Sequence, residues 1–240
     1  MISFCIPAHN EAAMIGATVR AIRAAADAVG QPYEIVVADD GSTDNTGAIA
    51  TEAGARVVRV ERRKISATRN SAAHASTGDI LFFIDADTLI EAHHVREALD
   101  LLARGRVGGG ALITLDGAVP LWARCLLAAL IALYRPLRLS AGCFMFCTRP
   151  AFDASGGYPE EYYGGEEIIF AQRLKKQGPF RLIASKVETS GRKLRTHSMG
   201  EIVGAFSRVA FRGPGFAKKR ENMGLWYDER REDPMGRRSP

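Results

Sequence analysis

Two rhythms of apolar and polar residues alternate along the first 85 positions. Short runs at 2–6, 34–38, Arg56–Val60 and Ile80–Ile84 read as strands, the last with the length and β-favouring content of one buried on both faces. Between the first two, Ile15, Val19, Ile22, Ala26 and Val29 recur at steps of four and three, which is one face of a helix spanning 11–29. Pro7 is expected to stop the first strand, and Gly30-Gln31-Pro32 to end the helix. Further helices are predicted at 43–53 and 65–76. Strand and helix alternating in this way predicts a Rossmann-like, mostly parallel α/β sheet with right-handed crossovers and helices on its faces. No G-x-G-x-x-G follows the first strand, which disfavours an ordinary dinucleotide fold.

Farther along, Val95, Leu99 and Leu102 mark another helical face, and 109–115 and 142–147 resume strand character. A helix is predicted over Glu166–Gln177, strand structure at 180–183 and Val187, and a helix over 200–211. The most apolar stretch is 121–134. Its uninterrupted part, 125–134, is about half of the roughly 20 residues needed to cross a bilayer. Trp122, Tyr134, Arg124, Arg135 and Arg138 flank or interrupt it, as in a helix lying at a membrane interface. An ordinary buried or acceptor-covering helix fits the same pattern. Without an internal repeat or interior linker, residues 1–211 read as one domain.

The chain has 240 residues, 47% of them hydrophobic and 25% charged, which is ordinary for a soluble globular protein. The net charge of +5 is concentrated late: residues 212–240 carry eight Lys or Arg against five Asp or Glu. That segment is expected to be a basic, flexible tail. Nothing in it interleaves aromatic and basic residues in the manner of a nucleic-acid reader. The four cysteines, Cys5, Cys125, Cys143 and Cys147, lack zinc spacing and suit reduced thiols. Met1 leads straight into a strand, so a cytoplasmic protein is expected, with contact at the inner membrane face through 121–138 as the alternative surface role.

Candidate chemistry gathers where the strands end. The run Ile80–Ile84 stops at Asp85-Ala86-Asp87, and in open α/β sheets the carboxyl edge is where ligands bind. Two acids one residue apart offer hard oxygen ligands to Mg²⁺ or Mn²⁺, a metal usually shared with substrate phosphates, although they could equally cap the next helix. Asp39-Asp40-Gly41-Ser42 ends the second strand, as a nucleobase-recognising carboxylate or a plain Asx turn. Asn10 and Glu11 lie beside it, to contact a nucleoside or to cap the first helix. Gly164-Gly165-Glu166-Glu167 opens a predicted helix, where a glutamate can serve as general base or simply favour the macrodipole. Arg69 could neutralise a diphosphate or sit on a helix surface, and His197 could complete a metal site or be structural.

The ordered set Ile6-Pro7-Ala8-His9-Asn10-Glu11, Val37-Ala38-Asp39-Asp40-Gly41-Ser42-Thr43-Asp44, Arg69-Asn70 and Asp85-Ala86-Asp87 resembles a family 2 glycosyltransferase. Gly165-Glu166-Glu167 followed by Gln172-Arg173-Leu174 is similar to that family's acceptor-side motif, usually Glu-Asp before an Arg-Leu. The resemblance spans about residues 2–192. It implies a GT-A fold with a nucleotide-sugar-binding half, 1–115, and an acceptor-binding half, 116–211. It further implies an inverting transfer from a nucleotide-diphosphate sugar, UDP-linked by family weight, to an acceptor hydroxyl, and the hydrophobic segment 121–138 would face a lipid-linked or otherwise apolar acceptor. The cofactor implied is Mn²⁺ or Mg²⁺. By position, Pro7 and Glu11 would border the nucleoside, Asp40 with Asp39 would hold the base, and Arg69 would lie near the phosphates. Asp85 would contact ribose or sugar, Asp87 would bind the metal, and His197 would add a late ligand. Glu167 would replace the usual Asp base, and this departure leaves the base open between Glu166 and Glu167.

Two other readings fit parts of the pattern. An apolar strand ending in Asp-x-Asp also opens haloacid-dehalogenase-like phosphatases, in which Asp85 would be the nucleophile. A GT-A module that binds a nucleotide sugar without transferring it would be a non-catalytic scaffold.

Overall fold

The fold is described from a computed structural model covering residues 1–138, 140, 142–212 and 214–227. Its strands are β1 (Ile2–Ala8), β2 (Tyr33–Asp40), β3 (Arg56–Val60), β4 (Ile80–Ile84), β5 (Thr88–Leu89), β6 (Gly108–Leu115), β7 (Phe144–Thr148) and β8 (Phe180–Thr189). The helices are α1 (Ile15–Val29), α2 (Thr46–Glu52), α3 (Ile65–Ala75), α4 (Ala92–Ala103), α5 (Leu121–Leu137), α6 (Arg149–Ser155), α7 (Glu166–Gln177), α8 (Arg192–Thr196), α9 (Met199–Arg212) and α10 (Gly224–Tyr227). Two short 3₁₀ helices, Pro214–Lys218 and Arg220–Met223, precede α10.

One sheet runs β3-β2-β1-β4-β7-β6-β8-β5. Its first four strands are parallel neighbours, as the strand–helix alternation predicts. β7 then inserts antiparallel to both β4 and β6, while β6 and β8 run parallel. The result is the expected mostly parallel α/β sheet, with its antiparallel departure in the second half. Alternation along β4 divides the core: Phe82 and Ile84 face a layer with Phe4, Phe144, Phe146 and the apolar face of α1, whereas Leu81 and Phe83 face Phe152, Tyr158 and Phe170. Phe83 is ringed by three aromatic side chains at centroid distances of 5.0–5.8 Å.

The glycines of β6 make its close approach to β7 possible. A Cβ on Gly109 would lie 2.0 Å from the Arg181 carbonyl oxygen and 2.4 Å from the Phe146 ring. Only a bare backbone therefore fits between those neighbours.

Several expectations change. Pro7 does not stop β1, because that strand runs to Ala8 and pairs Pro7 with Ala38 in parallel register. α1 begins at Ile15 rather than near Glu11, whose carbonyl accepts the Ile15 N–H at the helix start. α6, α8 and the two-residue β5 are additions. The expected flexible tail is instead laid on the domain as far as Tyr227: Ala217 and Met223 are buried, and the Tyr163 N–H donates to the Ala217 carbonyl at 2.8 Å. The rest of that expectation, 228–240, and the side chains of Tyr134 and Arg135 lie outside the described residues.

Among the described residues no helix is long and apolar enough to cross a membrane. α5 contains Pro136, keeps Ala123 buried, and leaves Leu121 and Cys125 exposed.

Candidate active site

The carboxyl ends of β1, β2 and β4 lie side by side, and the loops leaving them are laced together. After β1, Asn10 takes a left-handed backbone (φ 53°), and its side-chain oxygen accepts the Thr43 N–H at 2.8 Å. Returning contacts run from the Asn10 N–H to Ser42 Oγ (2.9 Å), from the Glu11 N–H to Thr46 Oγ1 (2.7 Å) and from the Ala12 N–H to Asp44 (3.1 Å). The Ser42-Thr43-Asp44 stretch, part of which was expected to begin a helix at 43, precedes α2 and fixes the β1–α1 loop against the β2–α2 loop. Pro7, at the end of β1, is partly exposed at this edge, and Glu11 is buried.

The two acids ending β2 have different surroundings. Asp39 is buried and accepts the Ser42 N–H at 3.2 Å. Asp40 accepts the Arg62 and Arg63 N–H groups on one oxygen (2.6 and 2.9 Å), and the Lys64 N–H (3.2 Å) and the Thr68 hydroxyl (2.8 Å) on the other. A carboxylate with four such donors is well satisfied, and it pins the β3–α3 connection beside the carboxyl end of β2.

At the centre is Arg69, on the buried side of α3. Its side chain is 4% exposed, and it bridges Asp85 Oδ1 (2.7 Å) and Glu166 Oε1 (2.8 Å), with a weaker contact to the Gly142 carbonyl (3.3 Å). The Tyr158 ring lies 5.2 Å from the guanidinium carbon. The fork geometry of arginine suits two carboxylates held at fixed positions. The side chain expected at a diphosphate therefore ties the end of β4 to the start of α7. Its neighbour Asn70 clasps the segment before α7, donating to the Tyr158 carbonyl at 2.9 Å and accepting the Tyr158 N–H at 2.9 Å.

Glu166 and Glu167 open α7 behind Gly165, which has φ 73° and serves as the left-handed N-cap. Glu166 is buried against Arg69. Glu167 is partly exposed. Desolvation, followed by the neighbouring Glu166 charge, pushes it up to about 7, against an opposing pull from Arg69. The two glutamates thus differ: one is ion-paired, and the other is poised to exchange a proton near neutrality.

Asp87 lies beyond Asp85, with the Thr189 hydroxyl 3.4 Å from its Oδ1. Burial and then the charges of Glu11 and Asp85 push it up to about 6, while Lys193 and Arg192 on α8 act in the opposite direction. Those two cations were not singled out from sequence. Their only local signal is a basic cluster after the last strand. The His197 Nδ1 lies 3.1 Å from the Lys193 carbonyl oxygen and 3.0 Å from Thr196 Oγ1, at the end of α8.

Among the described residues no three His, Cys, Asp or Glu side chains form a metal cage, so His197 is not gathered with Asp85 and Asp87 into one. Two aspartates one residue apart, Asp85 and Asp87, nevertheless suit a hard divalent cation. Mg²⁺ and Mn²⁺ ordinarily take one or two protein carboxylates and complete their shell with substrate phosphates and water. The donor set fits such an ion.

The family model for glycosyl transferase family 2 matches residues 3–125, just over half of the chain. Glucosyl-3-phosphoglycerate synthase of Mycolicibacterium paratuberculosis is 37% identical over 176 residues, covering 60% of this chain and 49% of that one. Undecaprenyl-phosphate 4-deoxy-4-formamido-L-arabinose transferase of Edwardsiella ictaluri is 35% identical over 98 residues, or 36% of this chain and 29% of the relative. The chain thus spans about half the length, or less, of these curated relatives. In structure it resembles Mycobacterium tuberculosis glucosyl-3-phosphoglycerate synthase in complex with Mn²⁺, UDP and glucosyl-3-phosphoglycerate, with a TM-score of 0.58 and 26% identity over 88% of this chain and 77% of that one. A mannosyltransferase from Pyrobaculum calidifontis, solved with GDP-Man and Mn²⁺, shares the fold at a TM-score of 0.65 and 20% identity over 90% of this chain and 63% of that one. Sheet order, the acidic edge of β4 and the matched sequence agree on one placement, which leaves no place for Asp85 as a phosphatase nucleophile. This chain belongs to glycosyl transferase family 2 and has its GT-A fold.

Proposed function

We propose that the protein transfers a sugar from a nucleotide-diphosphate donor, UDP-linked in preference to GDP-linked, to an acceptor hydroxyl, with inversion at the anomeric carbon. The observation that carries this reading is the Arg69 bridge, which joins the donor-side Asp85 to the acceptor-side Glu166 and leaves Glu167 as the carboxylate that exchanges protons.

In this reading Pro7, Glu11, Asp39 and Asp40 border the nucleoside, and residues 1–115 form the donor half. Asp85, oriented by Arg69, contacts ribose or sugar. Arg69 is buried and already committed to two carboxylates, so it acts on the diphosphate through its field rather than by contact. Asp87 would hold Mn²⁺ or Mg²⁺ without His197, and such an ion, when bound, supplies positive charge for the leaving diphosphate. Glu167 takes the proton from the acceptor hydroxyl as that oxygen bonds to the anomeric carbon and the carbon–oxygen bond to the diphosphate breaks. A single displacement needs no covalent glycosyl-enzyme.

The acceptor half comprises 116–211, and α5 offers a lipid-linked or otherwise apolar acceptor its exposed apolar side chains, with Arg138 exposed at its end. That surface would also bring the protein to the inner face of a membrane. Two relatives are named for undecaprenyl phosphate and phosphoglycerate, which share a phosphate group, and a phosphate-bearing acceptor is the common chemistry.

The test is turnover of UDP-sugars with a panel of phosphate-bearing acceptors, with the anomeric configuration of the product read by NMR and repeated on Glu167→Gln. Inverted product that vanishes in the variant supports the assignment. Retained configuration, or full activity in Glu167→Gln, contradicts it.

A further inference from the structure

The segment after α9 brings unexplained chemistry to the acceptor side. It is held by the Tyr163 N–H on the Ala217 carbonyl, by Met223 packed over Gly164, and by the Ile65 N–H donating to the Tyr227 hydroxyl at 3.3 Å. A Cβ on Gly164 would lie 2.6 Å from the Met223 sulfur, so the segment rests directly on the loop that leads into Glu166.

Along this contact, cations lie over aromatic rings. Lys218 sits 4.9 Å from the Tyr162 ring centroid, Arg220 5.7 Å from Tyr227, and Lys64 3.9 Å from Tyr163. Tyr163 and Tyr227 meet edge to face at 5.4 Å, which joins the Lys64 and Arg220 pairs, and Tyr162, under Lys218, is the residue before Tyr163. Lys64 also donates to the Glu160 carbonyl at 2.6 Å. The nearby carboxylates have other partners: Glu160 accepts from Asn70, Glu161 pairs with Arg173, and Glu221 lies 3.9 Å from Lys219. Among the described residues, Lys218 and Arg220 have no carboxylate partner. A cation lying against an aromatic face keeps its charge and its outward N–H groups, and arginine beside lysine is a common means of gripping a phosphate.

We propose that Lys218 and Arg220, held over Tyr162 and Tyr227, bind a phosphate group carried by the acceptor. This rests on the glycosyltransferase reading above and adds a binding site in a segment that composition alone assigned to a solvated tail. The site lies beside the loop that positions Glu166 and Glu167, so a phosphate gripped there presents the remainder of the acceptor to the base.

The experiment uses the full chain with UDP and a divalent cation present. One arm titrates glycerol 3-phosphate; the other measures co-sedimentation with phosphatidylcholine vesicles that contain, or lack, a polyprenyl phosphate. Both are repeated on Lys218→Gln/Arg220→Gln and on the control Lys219→Gln. The expected result is binding of one phosphate probe by the wild type, weakened about tenfold or more in the double variant and unchanged in the control. The responding arm tells a soluble from a lipid phosphate. UDP affinity equal to wild type shows that the double variant is folded; if it is not, the two single variants replace it. Equal probe binding by wild type and variants, or binding of UDP but of neither probe by the wild type, overturns the proposal. Failure of the wild type to bind UDP instead removes the donor-site reading, and this proposal with it.

Discussion

Arg69 and Glu166, 97 positions apart, are joined by a buried ion pair of 2.8 Å, and the other arm of the same guanidinium holds Asp85 at 2.7 Å. Removing one member of a buried pair leaves the other charge without compensation, which costs about 3–5 kcal/mol. Arg69→Met should therefore lower unfolding stability by about that amount at neutral pH. The double change Arg69→Met/Glu166→Gln should recover part of it, as a denaturant-based double-mutant cycle would measure. Additive losses would show that the two side chains do not depend on each other.

Glu167 provides the pH signature. Its carboxyl is raised to about 7, chiefly by desolvation and then by Glu166, so a base at this position gains activity as pH rises through 7 and levels off above it. Glu166→Gln removes a neighbouring negative charge and should move this rise to lower pH, whereas Glu167→Gln should abolish the rise along with most turnover. The stability effect has the opposite sense. A carboxyl with a folded pKa above its unfolded value favours the folded state below about 4.5 and loses that contribution as pH climbs towards 7. A rate profile unmoved by Glu166→Gln would contradict the coupling.

Glu34 has the reverse shift. Burial works against its charge, but the Thr77 N–H, the Ser3 and Thr77 hydroxyls and Arg56 outweigh it and bring the carboxyl down to about 2. Its stabilisation is present above about 4.5 and lost as pH falls towards 2. Glu34→Gln should cost about 1–2 kcal/mol at pH 7 and flatten the loss of stability in acid, measured by urea unfolding across that window.

Phe83→Ala should destabilise by about 3–5 kcal/mol, because the cavity would open among Phe152, Tyr158 and Phe170, side chains from separate elements that cannot all collapse inward. Thermal unfolding would measure this.

The acidic edge of β2 and β4 was legible because each strand is a local apolar run that ends abruptly in aspartates, although Asp39 and Asp40 are buried there and satisfied by hydrogen bonds rather than exposed. The insertion of β7 between β4 and β6 was not legible, since antiparallel pairing between residues sixty or more positions apart leaves no local pattern. Arg69 looked like a phosphate ligand for the same reason: its partner Glu166, 97 positions away, becomes a neighbour only in the folded chain. Asp40 carried no sequence sign that residues 62–64 would wrap around it. The 214–227 segment was misread because its charge outweighed a signal that was present, the apolar and aromatic residues Phe216, Met223, Trp226 and Tyr227 that dock it.

The most direct test of the donor site is calorimetric titration of UDP and GDP, each with and without Mn²⁺, into the wild type and Asp87→Asn. The expected result is Mn²⁺-dependent binding of UDP in preference to GDP by the wild type, lost in Asp87→Asn while its thermal unfolding remains cooperative. Failure of both nucleotides to bind in the presence of Mn²⁺, or undiminished binding by Asp87→Asn, would contradict a donor site built on the acidic end of β4.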